Sequence, residues 1–480
     1  MYFNSLTYLL LLFLFTLLYW KSNFQIRIIL IFFTSLMFYG FSSIEFVWIL
    51  LFSITFNWFI SKYLINPNNS YRFFLLLISL TFNIGLLFYF KYLIFFINNI
   101  VTFSNFLGIK FDPFFLNIIL PLGISFYTFQ IISYVLDIYW LTIKPEKNFF
   151  VFGSYVIFFP QLVAGPILRS SEIIPQFVKK IKFSYDHIIF GLIRILYGLF
   201  LKVVLADNIA SFVDSGYAIP ANTLSAIDVW TLAFLFGFQI YFDFSAYSHI
   251  AIGSARLIGI YIPENFNFPY MATSPKEFWK SWHISLSSWV RDYIYLPLVK
   301  SKVFYKSTGG FEIKSNKIQF FPLFITWGVM GFWHGANWTF LVWGFYHFLL
   351  ICINRLIAPL TKNLNGIIAW WGGLIFTLPA MMLAWVPFRA QNISDAMIMW
   401  LKIFDFKYYT QLNMRENTYL ITFMIFCSFF ITYLLKKKIF HQFNSKLFIS
   451  KIFNCFLIGF IIFFVIIFFR SNNQFIYFQF

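Results

Sequence analysis

The stretch GFWHGANWTF, Gly331 to Phe340, places a histidine inside an apolar run that extends from Phe320 to Ile353. Such a run is long enough to enter lipid, because a membrane-spanning helix needs about 20 mainly apolar residues. An ionisable side chain at that depth is costly and usually faces a protein cavity. His334 therefore directs attention to two questions, whether the whole chain is a membrane protein and what its buried histidine does.

The composition excludes a soluble globular protein. Of the 480 residues, 60% are hydrophobic and 11% are charged, whereas soluble domains have about 45–50% apolar and about 25% charged residues. The formal net charge of +18 is compatible with nucleic-acid binding or with the positive-inside bias of a membrane protein. Because the basic residues lie mostly in short loops between apolar runs, the second interpretation is favoured.

The apolar runs predict an all-α polytopic membrane protein with about eleven to thirteen transmembrane helices and, in addition, interfacial or re-entrant helices. The three cysteines lie far apart without a CxxC pair, so we expect neither a disulfide framework nor a structural zinc site. We also expect no other metal site and no bound cofactor. The candidate spans, with loose boundaries, are 2–20, 26–40, 44–61, 72–98, 114–140, 149–167, 187–205, 227–242, 245–261, 319–335, 338–356, 366–388, 419–435 and 452–469.

The positions of Lys and Arg predict the orientation. No basic residue precedes the apolar run Tyr2 to Trp20 and no small-residue cleavage site follows it, so we interpret it as a retained first helix rather than a signal peptide. Lys21 and Arg27 follow it, which places the N-terminus outside the cytoplasm. Three basic segments are predicted to be cytoplasmic, namely Lys179–Phe183, Val299–Lys317 and Lys436–Lys438 with its continuation to Lys451.

The segment Thr273 to Leu298 has too many charges to span the membrane. Ser274, Pro275 and Glu277 predict a helix start with a capping box, and an aromatic stripe then recurs at helical spacing. An amphipathic helix at the cytoplasmic interface fits this pattern. We predict that its polar face could admit a phosphate-bearing donor, although an interfacial histidine without such a role fits the pattern too; the residues of this face are Lys280, His283, Ser287 and Arg291.

Two interpretations of His334 remain open from its surroundings. Counted from Lys317, a continuous helix would carry it about 25 Å into the membrane. Gly331 and Gly335 form GxxxG, a helix-packing motif, and the neighbouring tryptophans Trp333, Trp338 and Trp343 could be ordinary packing residues. In that case His334 would simply bond a neighbouring helix.

The chemical interpretation is that His334 is a general base. Neutral imidazole has a pKa near the operating pH, so it suits removal of a proton from a hydroxyl nucleophile. Asn337 could orient the ring or donate to an oxyanion. Among the other histidines, we rank His249 and His347 lower and expect them to be packing or hydrogen-bonded core residues.

Five stretches together resemble the membrane-bound O-acyltransferase (MBOAT) family, in particular its bacterial alginate and peptidoglycan O-acetyltransferase branch. They are LPLGISFYTFQIISYVLDIY (120–139), FFPQLVAGPILRSSEIIPQF (158–177), QIYFDFSAYSHIAIGSARLIGI (239–260), FWKSWHISLSSWVRDYIYLPL (278–298) and TWGVMGFWHGANWTFLVWGFYH (326–347). The resemblance implies one integral membrane domain over 1–480, with N-terminal spans in 1–105, a core at about 110–390 and further spans at 415–470.

The resemblance also implies a site. The family has helices tilted around a central tunnel, and its intramembrane histidine corresponds to His334 and its second histidine to His283. We expect these two to be catalytic, and the residues that bind the donor or support them to be Asn337, Lys280, Ser287, Arg291, Trp282 and Trp333. Acetyl-CoA is the donor that the resemblance implies, and a periplasmic SGNH-type acetyltransferase is the partner.

The predicted function is therefore a multi-pass O-acetyltransferase of the bacterial inner membrane, with its N-terminus in the periplasm. It would move acetyl groups from a cytoplasmic donor for O-acetylation of a surface polysaccharide, peptidoglycan first. Alternatives are an alginate-like exopolysaccharide, teichoic acid D-alanylation, which we rank lower, and, from another class, a transporter or flippase of an acyl carrier without covalent chemistry.

Overall fold

The structure is a computed structural model that describes residues 3–109, 118–163, 165–301, 319–361, 366–443, 448–470 and 475. Every regular element in these ranges is helical. The helices are α1 Leu6–Lys21, α2 Phe24–Ser43, α3 Val47–Leu64, α4 Arg72–Leu87, α5 Leu93–Phe106, α6 Ile124–Tyr139, α7 Phe149–Ile157, α8 Ser170–Val178, α9 Tyr185–Leu199, α10 Asp207–Tyr217, α11 Ala226–Leu257, α12 Pro275–Ser281, α13 Ile284–Val290, α14 Leu296–Lys300, α15 Phe320–His334, α16 Trp338–Thr361, α17 Gly366–Arg389, α18 Ile393–Ile403, α19 Glu416–Phe443 and α20 Phe448–Phe468.

The predicted class of an all-α membrane protein is confirmed. Seven helical stretches within the described ranges are long and apolar enough to cross a membrane, and two shorter apolar helices, Leu6–Lys21 and Cys455–Phe468, accompany them. The total of eleven to thirteen spans stays a prediction. Helices such as α6 and α15 are about 22–24 Å long at 1.5 Å per residue, which is less than the hydrocarbon core of about 30 Å.

One predicted pair of spans is a single helix. The sequence suggested separate spans at 227–242 and 245–261, but α11 runs without interruption from Ala226 to Leu257. The polar residues that lowered the hydropathy between them, such as Asp243, are buried. Asp243 accepts a hydrogen bond from Lys202 at 2.6 Å, so a polar dip in the pattern marks a buried ion pair and not a loop.

The predicted span 149–167 is also wrong. Helix α7 ends at Ile157, because Pro160 lacks a backbone donor and Gly165 and Pro166 follow it. The described residues between α7 and α8 are non-helical and mostly buried. Side chains satisfy part of its polar groups: Phe159 N donates to Ser35 Oγ at 3.1 Å and Gln161 Nε2 to Gln130 Oε1 at 3.1 Å.

The chain divides into two compact units. The first comprises residues 1–195 and 247–263, and the second comprises 196–246 and 264–480. Both segments that contain the predicted catalytic histidines belong to the second unit. The basic loop 299–317 lies largely outside the described residues, and the lysines at 436–438 fall within the helical backbone of α19.

Candidate functional site

His334 is the last residue of α15, at a break between two helices. Gly335 is extended, with φ −167° and ψ 149°, and α16 begins at Trp338. Asn337 is exposed, and its Oδ1 accepts a hydrogen bond from Thr339 N at 3.1 Å, so it caps the start of α16. Its predicted contribution to an oxyanion site stays untested. The described helix starts at Phe320, which brings His334 about 21 Å along it, less than the depth predicted from Lys317.

Close helix packing holds this break in place. A Cβ atom on Gly331 would collide with the carbonyl oxygen of Phe340 and lie 3.2 Å from Gly344 Cα, and one on Gly344 would collide with the carbonyl oxygen of Trp327. The two glycines therefore allow α15 and α16 to touch backbone to backbone. The packing interpretation holds for Gly331, with Gly344 as its partner on the facing helix.

Aromatic rings enclose the His334 imidazole, which is 7% exposed. Ring centroids lie 5.0 Å away for Trp333, 4.8 Å for Trp343 and 5.3 Å for Phe388. This enclosure leaves the imidazole little contact with solvent, at the C-terminal end of α15 where the last backbone carbonyl groups of the helix lie.

The segment Thr273–Leu298 is not one amphipathic helix. The predicted start is correct, since Ser274 Oγ accepts from Glu277 N at 3.2 Å, but α12 ends at Ser281 and α13 begins at Ile284. His283 adopts left-handed backbone torsions, with φ 42°. Asn265 stabilises the new start: its carbonyl oxygen accepts from Ile284 N at 3.0 Å and its side chain from Ser285 N at 3.1 Å.

The break overturns the predicted polar face. His283 is fully buried, while Lys280 and Arg291 are exposed and Ser287 is half-buried. Arg291 pairs with its neighbour Asp292 at 2.8 Å, and Ser287 Oγ donates to the Trp282 carbonyl oxygen at 3.2 Å. A left-handed residue turns the imidazole away from the helix surface. Burial lowers the pKa of His283 to about 3, so its ring is neutral at ordinary pH.

The structure brings the two histidine segments together through Trp333. The Trp333 ring centroid lies 6.1 Å from that of His283 and 5.0 Å from that of His334. Phe244 of α11 closes the other side of His283 at 4.6 Å. Trp282 packs nearby against Trp385, 4.9 Å away. Trp282 and Trp333, predicted as supporting residues, are thus wall residues of one aromatic cluster with both histidines.

A third histidine, His347, belongs to this cluster and is a hydrogen-bonded core residue, as expected from the sequence. His347 is 1% exposed, and Trp279 Nε1 donates to its Nδ1 at 3.3 Å. The Trp343 ring lies between the two histidines of the helix pair, 4.8 Å from His334 and 4.7 Å from His347. The available signal was the i, i+4 spacing of Trp343 and His347, which puts both on one face of α16.

A cavity lies at the C-terminal end of α17. Phe388 touches the His334 ring, and the next residue, Arg389, lines a cavity of about 410 Å³. Arg389 Nη2 also pairs with Asp214 at 2.7 Å. A second cavity of about 630 Å³ adjoins it through shared residues and contains the cations Lys402 and Lys407.

The chain is similar to known proteins over most of its length. The family model for MBOAT, the membrane-bound O-acyltransferase family, matches residues 147–389, which include both histidine segments. The peptidoglycan O-acetyltransferase of Helicobacter pylori is 36% identical over 76% of this chain and 71% of that protein. The "Probable alginate O-acetylase AlgI" of Azotobacter vinelandii is 33% identical over 83% of this chain and 77% of that protein.

A third relative matches over a smaller region. The teichoic acid D-alanyltransferase of Bacillus subtilis is 30% identical over 50% of this chain and 60% of its own length. A family of acyltransferases also favours covalent group transfer over the transport alternative. The family model and the two relatives that match most of the chain show that the chain belongs to the membrane-bound O-acyltransferase family and is an O-acetyltransferase of that type.

Proposed function

We propose that this protein carries acetyl groups from cytoplasmic acetyl-CoA to a hydroxyl acceptor outside the membrane, for O-acetylation of peptidoglycan, with His334 as the general base. The observation that carries the proposal is the position of His334. It is buried at the C-terminal end of α15 and enclosed by aromatic rings. One of these rings, Trp333, also contacts His283, the second histidine of the family pattern.

The proposed chemistry is a direct acyl transfer. His334 accepts the proton of the acceptor hydroxyl while the oxygen of that hydroxyl attacks the acetyl carbonyl carbon. The new C–O bond forms, the C–S bond of the thioester breaks, and the departing thiolate takes the proton back from the imidazolium. The products are an O-acetyl ester and free coenzyme A. The negative end of the α15 dipole stabilises the imidazolium between these steps.

In this scheme His283 is a positioning residue. Its neutral ring fills the space between Phe244 and Trp333, and Trp333 in turn contacts the His334 ring. A rigid Trp333 would hold the general base in one orientation, which matters because a small misplacement of a reacting group slows a reaction severely. The exposed Lys280 and Arg291 remain candidates for contacts to the phosphates of the donor.

Two contacts support a common cytoplasmic face for the first loops. Arg27 Nη1 donates to the Ile181 carbonyl oxygen at 2.9 Å, and Phe183 packs on Trp20 with ring centroids 5.3 Å apart. The basic loop after α1 and the basic segment Lys179–Phe183 therefore meet at one end of the first unit. Both carry the lysines and arginines of an inside loop, which supports an external N-terminus.

Peptidoglycan is the proposed polymer because the Helicobacter pylori relative, named for that substrate, matches three quarters of the chain. An alginate-like exopolysaccharide is the second candidate, because the Azotobacter vinelandii relative covers slightly more of the chain. We further propose that the hydroxyl acetylated at His334 belongs to an intermediate carrier, and that a separate SGNH-type transferase outside the membrane moves the acetyl group from this carrier to the polymer. The cavity that Arg389 lines would serve the acceptor side of this reaction.

The test compares the wild type with His334→Gln in cells of the native host. The wild type should yield acetate that mild base releases from purified peptidoglycan, and the variant should yield none at equal membrane abundance. Exopolysaccharide from the same cells is assayed in parallel. Acetate on exopolysaccharide alone would move the proposal to the second polymer, and normal acetylation by the variant would remove His334 as the base.

A further inference from the structure

Trp343 and His347 present two buried N–H groups on one face of α16. Trp343 is fully buried and His347 is 1% exposed. They are four residues apart, so their side chains lie one helical turn apart on the same side. The Trp343 ring touches both His334 and His347, with centroid distances of 4.8 and 4.7 Å. The pair therefore belongs to the immediate surroundings of the general base.

The hydrogen bond from Trp279 determines the tautomer of His347. Trp279 Nε1 is a donor only, and it lies 3.3 Å from His347 Nδ1. Nδ1 must therefore be the accepting nitrogen, and the neutral ring carries its proton on Nε2. Trp327 stacks on the ring at 5.4 Å and 24°, so the ring is held from a second side. His347 is thus a fixed N–H donor.

Neither donor is satisfied within the part of the chain that the structure describes. No acceptor there lies within hydrogen-bond distance of Trp343 Nε1 or of His347 Nε2. A buried donor without an acceptor costs about 1–3 kcal/mol, so two such donors beside a catalytic base indicate a function. Trp400 of the same unit differs, because its Nε1 donates to the Leu383 carbonyl oxygen at 3.0 Å.

We propose that Trp343 Nε1–H and His347 Nε2–H hydrogen-bond the carbonyl oxygen of the acyl donor and stabilise the oxyanion that forms there. This inference rests on the proposed acetyl transfer by His334. When the acceptor oxygen attacks the carbonyl carbon, the carbonyl π electrons move to oxygen, and the two N–H groups neutralise that charge until the C–S bond breaks. Both donors are preorganised by ring packing, so they need no rearrangement during the reaction. Trp279 is a positioning residue, because it selects the His347 tautomer.

The experiment uses the full chain in nanodiscs, with acetyl-CoA labelled with ¹³C at the carbonyl carbon. Steady-state kinetics are measured for the wild type, Trp343→Phe, His347→Leu and His347→Gln. Trp343→Phe keeps a ring and removes one N–H, and should lower kcat by about 10²- to 10³-fold, the usual loss for one oxyanion donor. KM should change little, because the bond strengthens mainly in the transition state.

His347→Leu should lose a similar factor, and His347→Gln should recover part of it, because an amide supplies both a donor and an acceptor. Infrared difference spectra provide a readout that packing alone would not move. The bound thioester carbonyl stretch should lie at a lower frequency in the wild type than in Trp343→Phe. Trp400→Phe is the matched control, and it should retain the wild-type kcat and carbonyl frequency.

The outcomes separate this inference from the proposed function. A folded wild type that transfers no acetyl group overturns both. Transfer by the wild type that persists undiminished in Trp343→Phe and His347→Leu, with an unshifted carbonyl band, overturns the oxyanion assignment and leaves His334 as the base. Thermal unfolding of each variant is recorded. If Trp343→Phe does not fold, it is replaced by Trp343→Tyr, which also lacks the indole N–H.

Discussion

His283 shows how one backbone angle changes the meaning of a residue. On a regular helix it would belong to a polar face with Lys280 and Arg291. At φ 42° it is instead buried and contacts Phe244 and Trp333. Asn265 stabilises this geometry from 18 positions earlier in the chain, and local periodicity carries no information about such a partner.

The buried His283 makes stability depend on pH. Burial lowers its pKa to about 3, below the ordinary value of about 6.5, so the folded state disfavours the proton that the unfolded state binds. The contribution of the neutral His283 ring to the free energy of unfolding is fully present above pH 6.5 and is lost as the pH falls towards 3. At pH 5 the loss is about 2 kcal/mol.

The check is the midpoint of thermal unfolding in detergent at pH 8 and pH 5, followed by tryptophan fluorescence. His283→Gln removes the titrating group, so the midpoint should fall less between these two pH values than in the wild type. Each protein at pH 8 serves as its own reference. Parallel decreases in the wild type and the variant would show that His283 does not carry the dependence.

At the scale of elements, the crossing of α15 and α16 decides where His334 lies. The crossing depends on Gly331 and Gly344, whose missing side chains allow backbone contact. Two glycines thirteen residues apart in sequence thus position His334, the proposed general base, at the end of α15. The motif GxxxG pointed to packing at Gly331, but not to the facing residue.

Gly331→Ala and Gly328→Ala form a matched pair on α15. The added methyl at position 331 would collide with the Phe340 carbonyl, whereas at 328 its nearest neighbour is the Phe345 ring at 3.6 Å, an ordinary contact. We expect Gly331→Ala to lower the unfolding midpoint and the acetyl transfer rate together. Gly328→Ala should be neutral or stabilising by about 0.5–1 kcal/mol, the helix propensity gain over glycine.

Both readouts come from the same purified proteins in detergent and in nanodiscs. A Gly331→Ala protein with the stability and activity of Gly328→Ala would contradict the backbone contact. Size-exclusion chromatography controls for aggregation.

A second element-scale feature is the buried ion cluster between the α9–α10 stretch and α11. Lys202 Nζ lies 2.6 Å from Asp243 Oδ1 and 2.8 Å from Asp207 Oδ1, and all three side chains are almost inaccessible. Lys202→Met would leave buried carboxylates without their cation. We expect a loss of about 3–5 kcal/mol, the usual result of removing one partner of a buried pair.

The double variant Lys202→Met, Asp243→Asn provides the comparison. It removes one of the carboxylate charges that Lys202→Met leaves without a cation, so its unfolding midpoint should lie above that of Lys202→Met alone. If the double variant is less stable than the single variant, the charge explanation fails and Asp243 has another structural role.

At the scale of the whole molecule, charge in the loops predicts the orientation. The loop after α1 and the segment Lys179–Phe183 meet through the bond from Arg27 to Ile181. Since α1 separates this end of the first unit from Ser5, the two ends of α1 should face opposite sides of the membrane. The positive-inside rule assigns the basic end to the cytoplasm.

Cysteine labelling tests this orientation in a background with Cys352, Cys427 and Cys455 changed to Ala. Lys180→Cys should react with a membrane-impermeant maleimide only in inverted vesicles, and Ser5→Cys only in intact spheroplasts. Detergent-solubilised protein gives the reference for full reactivity. Labelling of Lys180→Cys from the outside would invert the proposed topology and the assignment of the donor side with it.

The sequence by itself determined that this protein lies in lipid, that it is helical and where several of its spans lie. Lipid requires long apolar runs whose backbone bonds close within each helix, so these features are local and legible in the chain; the predicted spans 319–335, 338–356 and 366–388 match α15, α16 and α17. The histidine pair and the family resemblance followed from equally local patterns.

Only the tertiary structure decided how these segments meet. The continuity of α11 across Asp243, the left-handed break at His283 and the tautomer of His347 each depend on a partner distant in sequence, namely Lys202, Asn265 and Trp279. A local pattern shows which side chains share a helix face, but long-range packing determines what that face contacts. For this reason the sequence could nominate His334, while its enclosure by Trp333, Trp343 and Phe388 became visible only in the folded chain.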